Sequence, residues 1–361
     1  MKIGISIYAG DEYDLKANME YIDMASFLGI SNIFTSFNAV IQNKASLEQA
    51  EQIIKHAKLK NMNIMVDVSP KVFKWINASP IDLAPFYQMG ISGIRCDYGF
   101  NAKDIATMSN NNYGIAVVIN ASTVTQEEIE EILRHGGCID NIKACHNFYP
   151  RPYTGLSMEF YNKKSAMLKS FEIEVSAFIP SQNQKRGPVY EGLPTIESHR
   201  SMPPDLAAKE LIYGGMADIV YFGDAYASEQ ELRKVLNINK DIVEIEVELF
   251  EGISDIEKRI IFHPCHVNRL DAPEYIIRSS QLRSKIDEEI LPFNCVQKNV
   301  NLITIDNKNA GRYMGELQII RKPIPEDFRV NVVGKVDDQN ASILDYIQPG
   351  RNFKLVEKGE N

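Results

Sequence analysis

Eight apolar runs alternate with helix-like segments along the first two thirds of this 361-residue chain, and this alternation limits the fold more than any other feature. The runs are Ile3–Tyr8, Asn32–Phe37, Asn63–Ser69, Gly93–Tyr98, Gly114–Asn120, Asn141–His146, Glu174–Ile179 and Asp218–Gly223. Runs that are apolar almost throughout are typical of parallel strands covered on both faces. Eight strand–helix units in about 240 residues match the size of a closed barrel. We therefore predict an α/β fold with a (β/α)8 TIM barrel over residues 1–240.

An open, doubly wound parallel sheet is the alternative arrangement of the same units. A dinucleotide site in such a sheet uses a G-x-G-x-x-G turn after the first strand. No such turn follows Tyr8. We expect no cofactor.

The sequence changes character after Leu236, where short β-rich runs are separated by clusters of Pro, Asn, Asp and Gly. Such spacing is typical of all-β structure. We therefore predict a smaller, mostly-β domain over residues 243–361. Its predicted strands are Ile242–Leu249, Lys258–Phe262, Glu274–Arg278, Asn301–Ile305 and Glu316–Arg321.

Bulk properties exclude several classes of partner. A net charge of -9 argues against nucleic-acid binding, which requires a basic face. No run of about 18 apolar residues is long enough to span a membrane, and the N-terminus has no signal-peptide pattern. Five scattered cysteines suit a reducing compartment. We predict a cytoplasmic protein without nucleic-acid or membrane partners and leave a homo-oligomer open.

Polar residues follow most of the predicted strands. In a parallel barrel the carboxyl ends of the strands converge on one mouth, where reactive groups lie. Hydrolysis of a glycosidic bond needs one carboxylic acid and one carboxylate. Each strand-end aspartate can instead cap the next helix or pair with an arginine, and for Asp67 the following Ser69-Pro70 favours that alternative. The strand-end candidates are Tyr8, Asp67, Asp97, Asn120, His146, Asn147, Arg151, Asn183 and Asp224.

The segment from Lys185 to Arg200 combines carboxylates and cations with several Gly and Pro residues. It is too polar for a core and too rigid for a tether, so it indicates a shaped surface loop of the kind that carries chemistry. Its cations could bind an anion through guanidinium groups, and surface salt bridges are the alternative. Its candidates are Arg186, Glu191, Glu197, His199 and Arg200.

Two further hypotheses concern residues of the predicted sixth strand. Lys143 could form an imine with a carbonyl substrate, although a salt-bridged lysine is the more ordinary interpretation. His146 follows Cys145, but no second pair of ligands is spaced for a metal. We therefore predict no metal site.

Three runs together resemble the bacterial 6-phospho-N-acetylmuramidase family. They are His146 to Arg151 with Thr154-Gly155-Leu156, then Arg186 to Arg200, then Gly223-Asp224. The likeness covers nearly the whole chain, and it implies a cyclophilin-like fold for the second domain. It further implies a cytoplasmic, exo-acting hydrolase without a cofactor. The substrate it implies is the disaccharide N-acetylmuramic acid 6-phosphate–N-acetylglucosamine, cleaved to its two monosaccharides during peptidoglycan recycling.

On this interpretation Glu191 is expected to be the general acid, its pKa raised by burial under Tyr190 and Pro188. Asp97 is expected to be the partner carboxylate, with Glu197 as a substitute for either role. The phosphate and lactyl carboxylate would be bound by Arg151, Arg186, His199 and Arg200. Hydroxyl and N-acetyl groups would be bound by Asn120, His146, Asn147 and Asn183, and the predicted substrate-binding set is completed by Tyr8, Asp67 and Asp224.

Two other functions remain open from the sequence. One is a sugar-phosphate aldolase or epimerase that uses Lys143 as an imine-forming lysine. The other is a non-catalytic sugar-phosphate sensor in which the β domain binds a partner.

Overall fold

The computed structural model describes residues 2–38, 43–271 and 273–359. The chain divides into two compact units, Met1–Ile238 and Asn239–Asn361. The first unit is a closed barrel of eight parallel strands that follow one another in sequence order. The strands are β1 (Lys2–Ser6), β2 (Asn32–Ser36), β3 (Asn63–Val68), β4 (Gly93–Cys96), β5 (Ala116–Asn120), β6 (Ile142–Cys145), β7 (Glu174–Ile179) and β8 (Ile219–Phe222). The predicted TIM barrel is confirmed, and the open sheet is excluded.

The barrel closes because β1 pairs with both β2 and β8, with Gly4 opposite Asn32 on one side and Tyr221 on the other. The lumen is filled by side chains from alternate strands, as in other parallel barrels. A Cβ atom at Gly4 would lie 2.3 Å from the Tyr221 ring. Only glycine therefore leaves room for that ring.

Helices surround the barrel, and several begin at capping residues visible in the sequence. Asn101, Thr125 and Ser228 each open a helix with a capping box, in which side chain and backbone bond reciprocally at the first turn. The helices of this unit are α1 (Leu15–Phe27), α2 (Lys44–Leu59), α3 (Pro70–Trp75), α4 (Ala84–Met89), α5 (Ala102–Ser109), α6 (Gln126–Arg134), α7 (Met158–Ser170), α8 (Pro204–Tyr213) and α9 (Glu229–Leu236).

The second unit is built on one seven-stranded sheet in the order β10-β15-β9-β14-β12-β13-β11. All neighbours are antiparallel except β15 and β9. The strands are β9 (Val243–Leu249), β10 (His266–Val267), β11 (Ile276–Ser279), β12 (Leu302–Asp306), β13 (Leu317–Ile320), β14 (Val330–Val336) and β15 (Asn352–Glu357). The prediction of a mostly-β domain is confirmed.

One predicted strand of this unit is wrong. Residues 258–262 belong largely to a helix, α10 (Asp255–Ile261), which begins with a capping box at Ser254 and Glu257. The apolar run alone fits a strand. The cap upstream of it bonds the first free N–H groups of the segment and therefore favours a helix. No helix in residues 2–38, 43–271 and 273–359 is long and apolar enough to cross a membrane.

Candidate active site

Arg95 of β4 joins polar residues from four neighbouring strand ends at the carboxyl mouth of the barrel. Its Nη1 atom lies 2.7 Å from Oδ1 of Asp67 and 3.0 Å from Oδ1 of Asp97. Its Nη2 atom donates to Oδ1 of Asn147, and Asn120 donates to the same Asp97 oxygen at 3.3 Å. Asp67 and Arg95 are register partners across β3 and β4, so the barrel itself brings them together. Arg95, the centre of this arrangement, is not among the site residues predicted from the sequence.

The two carboxylates bridged by Arg95 are close enough to act on one bond. Their Oδ1 atoms are at most about 5.7 Å apart, which is the sum of their distances of 2.7 and 3.0 Å to the shared Nη1 atom. Retaining glycosidases place their two carboxyl groups about 5–5.5 Å apart, whereas inverting enzymes need about 6.5–9.5 Å. The upper bound on the oxygen separation is therefore compatible with the shorter arrangement.

Burial distinguishes the two members of this pair. The side chain of Asp67 is 14% exposed and that of Asp97 is 32% exposed, while Arg95 is almost fully enclosed. Burial raises the pKa of Asp67, an effect that Arg95 opposes and the nearby charge of Asp97 reinforces. Asp67 is therefore suited to holding a proton, and Asp97 is the more accessible of the two.

Arg186 provides a cation above an aromatic floor in the same mouth. Its guanidinium carbon lies 3.9 Å from the Tyr8 ring centroid and 5.7 Å from that of Phe148. Phe148 follows Asn147 directly in the chain and packs edge-on against Phe34 and Phe178. Within residues 2–38, 43–271 and 273–359, no carboxylate forms an ion pair with Arg186. The stacked guanidinium therefore keeps hydrogen-bond donors for an anion.

Asp224, predicted to contact substrate, instead holds the loop that carries Arg186. It is fully buried and accepts backbone N–H groups from Ser181 and Arg186 at 2.9 Å and from Leu193 at 3.2 Å. A carboxylate that accepts three backbone N–H groups fixes the conformation of a loop, because it bonds amide groups that lie outside the strand pairing. Direct substrate contact by Asp224 has no support in this geometry.

Glu197 and Arg200, two more predicted site residues, are bonded to each other. Arg200 donates to both carboxylate oxygens at 2.7 Å, and the backbone N–H groups of Tyr153 and Gly155 donate to the same carboxylate at 2.8 and 2.7 Å. Arg200 also donates to the carbonyl of Gly192. The hydrogen bonds from Arg200, above all, lower the pKa of Glu197 to about 2. These contacts suit a brace between two loops and disfavour proton donation by Glu197.

This brace gives a prediction for stability. A carboxyl whose pKa is lowered on folding stabilises the protein above its ordinary pKa of about 4.5, and the stabilisation is lost as the pH falls towards about 2. We expect Glu197→Gln to lower the free energy of unfolding by about 1–3 kcal/mol at pH 7. Denaturant unfolding should show that difference narrowing below pH 4.5. Glu229→Gln, which removes an exposed pair with Arg233, is the matched control, and an equal loss in both variants would contradict the brace.

Two predicted histidines lie in the protein interior. His146 is fully buried, with ring nitrogens 3.2 Å from Ser122 Oγ and 3.0 Å from Ser165 Oγ. Burial lowers its pKa to about 3. His199 is fully buried, with its Nε2 atom 2.9 Å from Oε2 of Glu210. Neither ring reaches solvent at the mouth, so the predicted substrate contacts of these histidines are not supported.

The remaining predicted residues lie on exposed loops. Glu191, Arg151 and Asn183 are all exposed, and Asn183 donates to the carbonyl of Tyr226 at 3.1 Å. Tyr190 is 59% exposed. The predicted burial of Glu191 under Tyr190 is therefore wrong.

Lys143 lies at the opposite end of the barrel from Asp97. It comes early in β6, its Nζ atom is 2.8 Å from Oε1 of Glu174, and it lines a cavity of about 280 Å³ together with Lys2 and Asn63 at the amino ends of their strands. In parallel barrels chemistry takes place at the carboxyl ends. The position and ion pair of Lys143 disfavour an imine mechanism at the mouth.

Comparisons with known proteins cover the whole chain. The family described as "6-phospho-N-acetylmuramidase, N-terminal" matches residues 3–237, and "6-phospho-N-acetylmuramidase, C-terminal" matches residues 243–356. An uncharacterized B. cereus protein of known structure is 36% identical, with 99% of each chain covered and a TM-score of 0.89. A conserved Enterococcus faecalis protein with an unknown function is 34% identical over 99% of this chain and 97% of that chain, with a TM-score of 0.75. The curated proteins contain no match.

Proposed function

The chain belongs to the 6-phospho-N-acetylmuramidase family, and on that basis we propose that it hydrolyses N-acetylmuramic acid 6-phosphate–N-acetylglucosamine. The enzyme is exo-acting, and the reaction releases the two monosaccharides of this substrate in the cytoplasm during peptidoglycan recycling. The observation that carries the proposal is the Arg95-bridged pair of Asp67 and Asp97 in the same mouth as Arg186, which is stacked on Tyr8. Hydrolysis of a phosphorylated disaccharide requires both features, because the aspartates would break the glycosidic bond and the cation would bind the phosphate.

In the proposed reaction Asp97 is the nucleophile, and Asp67 is the general acid and then the general base. Asp97 attacks the anomeric carbon of the muramic residue while Asp67 protonates the departing oxygen of N-acetylglucosamine, so the glycosidic C–O bond breaks and a glycosyl ester forms. Asp67 then takes a proton from water, and the resulting nucleophile cleaves the ester. Arg95 holds both side chains in register. The assignment predicts retention of anomeric configuration, which proton NMR of the first-formed product would report.

Glu191 remains the alternative general acid. Its side chain lies on an exposed loop, whereas Asp67 lies within a hydrogen-bonded network beside Asp97. Proton transfer needs a donor held within hydrogen-bond reach of the leaving oxygen. The geometry therefore favours Asp67 for this role.

Arg186 is proposed to bind the substrate's phosphate. Replacing it by glutamine should raise KM for the phosphorylated disaccharide about tenfold to a hundredfold, because a charge-assisted hydrogen bond is lost. The effect on kcat should be smaller, since the phosphate is remote from the reacting bond. Steady-state kinetics would measure this, with Lys185→Gln as a control that removes the neighbouring charge of the same loop. Equal KM values for wild type and Arg186→Gln would contradict the assignment.

The reaction itself is tested by incubating the protein with phosphorylated and unphosphorylated muramyl disaccharides and detecting the monosaccharides by chromatography. Cleavage of the phosphorylated form alone supports the proposal. Cleavage of neither form, together with tight binding of the phosphorylated one, would favour the non-catalytic sensor. Borohydride trapping of Lys143 with a keto-sugar phosphate would favour the aldolase, against which its pairing with Glu174 argues.

A further inference from the structure

Two arginines of the second domain share one buried carboxylate, and two more lie nearby. We refer to Arg269, Arg278, Arg283 and Arg312 as the arginine cluster. Arg278 of β11 donates to both oxygens of Glu316, and Arg283 donates to Glu316 Oε2 at 2.9 Å. Glu316 is 1% exposed, whereas the two arginine side chains are about one fifth exposed. The buried carboxylate therefore orients two guanidinium groups that remain open to solvent on their other sides.

Tyr313 brings a further arginine to the same place. The guanidinium carbons of Arg283 and Arg312 lie 4.7 and 4.9 Å from its ring centroid, and Arg312 donates to its hydroxyl at 2.8 Å. Arg283 also donates to the backbone carbonyl of Arg312 at 2.8 Å. These contacts join the 3-10 turns Arg283–Lys285 and Lys308–Tyr313, so the cations are held near one another by structure.

Positive charge exceeds negative charge at this surface. Arg269 is paired with Asp271 at 2.7 Å, and Glu316 is shared by Arg278 and Arg283, so within the described residues the four guanidinium groups have two carboxylates as ion-pair partners. Asp306, behind Glu316, compensates only in part, because burial and the charge of Glu316 raise its pKa to about 7. Like charges held together disfavour the folded state unless an anion is bound between them. In a chain of net charge -9, general surface charge does not explain such an excess.

We propose that the arginine cluster is a binding site for a phosphate group, either inorganic phosphate or the phosphate of a sugar monoester. The excess of positive charge is opposite in sign to the charge of a phosphate monoester near neutral pH. Planar guanidinium groups held by Glu316 and Tyr313 offer paired N–H donors to its oxygens. The site does not depend on the reaction proposed for the barrel, and its test measures binding alone.

The test is calorimetric titration of the full chain with inorganic phosphate and, separately, with N-acetylglucosamine 6-phosphate. It uses an Arg186→Gln background, so that the cation in the barrel mouth does not contribute. Arg312 is the residue to replace first, because it is exposed and does not touch Glu316. Arg312→Gln should weaken phosphate binding about tenfold to a hundredfold, and Arg283→Gln should do the same. Tighter binding of the sugar phosphate than of inorganic phosphate would identify the monoester as the ligand.

Arg329→Gln is the matched control, since Arg329 also stacks on an aromatic ring, Phe328, and pairs with Asp327 outside the cluster. It should leave phosphate binding unchanged. Circular dichroism would show that the variants keep their fold. Absence of saturable phosphate binding in the Arg186→Gln chain, or equal binding by the Arg312→Gln and Arg329→Gln chains, would overturn the proposal.

Discussion

Replacing Asp97 by asparagine is expected to lower kcat by about a thousandfold or more. The substitution keeps the shape of the side chain, and its amide oxygen can still accept from Arg95 and Asn120, but it removes the carboxylate that we propose as the nucleophile. Asp67→Asn should cause a loss of similar size, because the leaving oxygen then receives no proton from that position. Product release from the phosphorylated disaccharide would be followed by chromatography.

The matched control for these variants is Asp140→Asn, which makes the same charge change at an exposed turn of the same barrel and should leave turnover unchanged. Glu191→Gln decides between the two candidate acids. If Glu191→Gln lost turnover while Asp67→Asn kept it, the general acid would be Glu191. Near-wild-type turnover in Asp97→Asn would remove the proposed mechanism altogether.

Replacing Arg95 by methionine is expected to lower the free energy of unfolding by about 3–5 kcal/mol, the usual cost of removing one partner from a buried ion pair. Asp67 would then be enclosed without its cation and close to Asp97. Such a carboxyl has a raised pKa, so its penalty is present at neutral pH and is relieved as the pH falls and the group takes up a proton. Denaturant unfolding should show that the variant loses less free energy of unfolding, relative to wild type, at pH 5 than at pH 7.

A second substitution separates the structural and catalytic effects of Arg95. The double variant Arg95→Met, Asp67→Asn should recover part of the stability, because no buried charge is left alone, yet it should remain inactive. Arg233→Met, which removes an exposed pair with Glu229, should change stability by less than about 0.5 kcal/mol. An Arg95→Met chain as stable as wild type would show that the bridge between the aspartates contributes nothing to folding.

The barrel was predictable because its signal is local and repeated. Each strand is an apolar run, and the helices between the runs carry their own caps, as at Asn101 and Thr125. A short apolar run fits a strand or a buried helix face equally well. For this reason helix α10 is recognised only when its cap at Ser254 is considered.

The site was predictable only where the barrel alone determines it. Asp67 and Asp97 follow from the rule that strand ends converge, and Arg95 could have been found as a charged residue inside an apolar strand, two positions before Asp97. Arg200 lies three residues after Glu197, but the two backbone partners of Glu197 lie more than 40 residues upstream at Tyr153 and Gly155. No spacing within residues 185–200 reveals such partners, which is why a loop brace and a catalytic acid look alike in sequence.

The three backbone N–H groups that donate hydrogen bonds to Asp224 link the position of the Arg186 loop to completion of the barrel. Asp224 follows β8, the last strand, yet it shapes the loop after β7 that carries Arg186. A nascent chain without its eighth strand also lacks Asp224, so these hydrogen bonds cannot hold the loop that carries Arg186. The proposed binding of phosphate by Arg186 therefore requires the complete barrel.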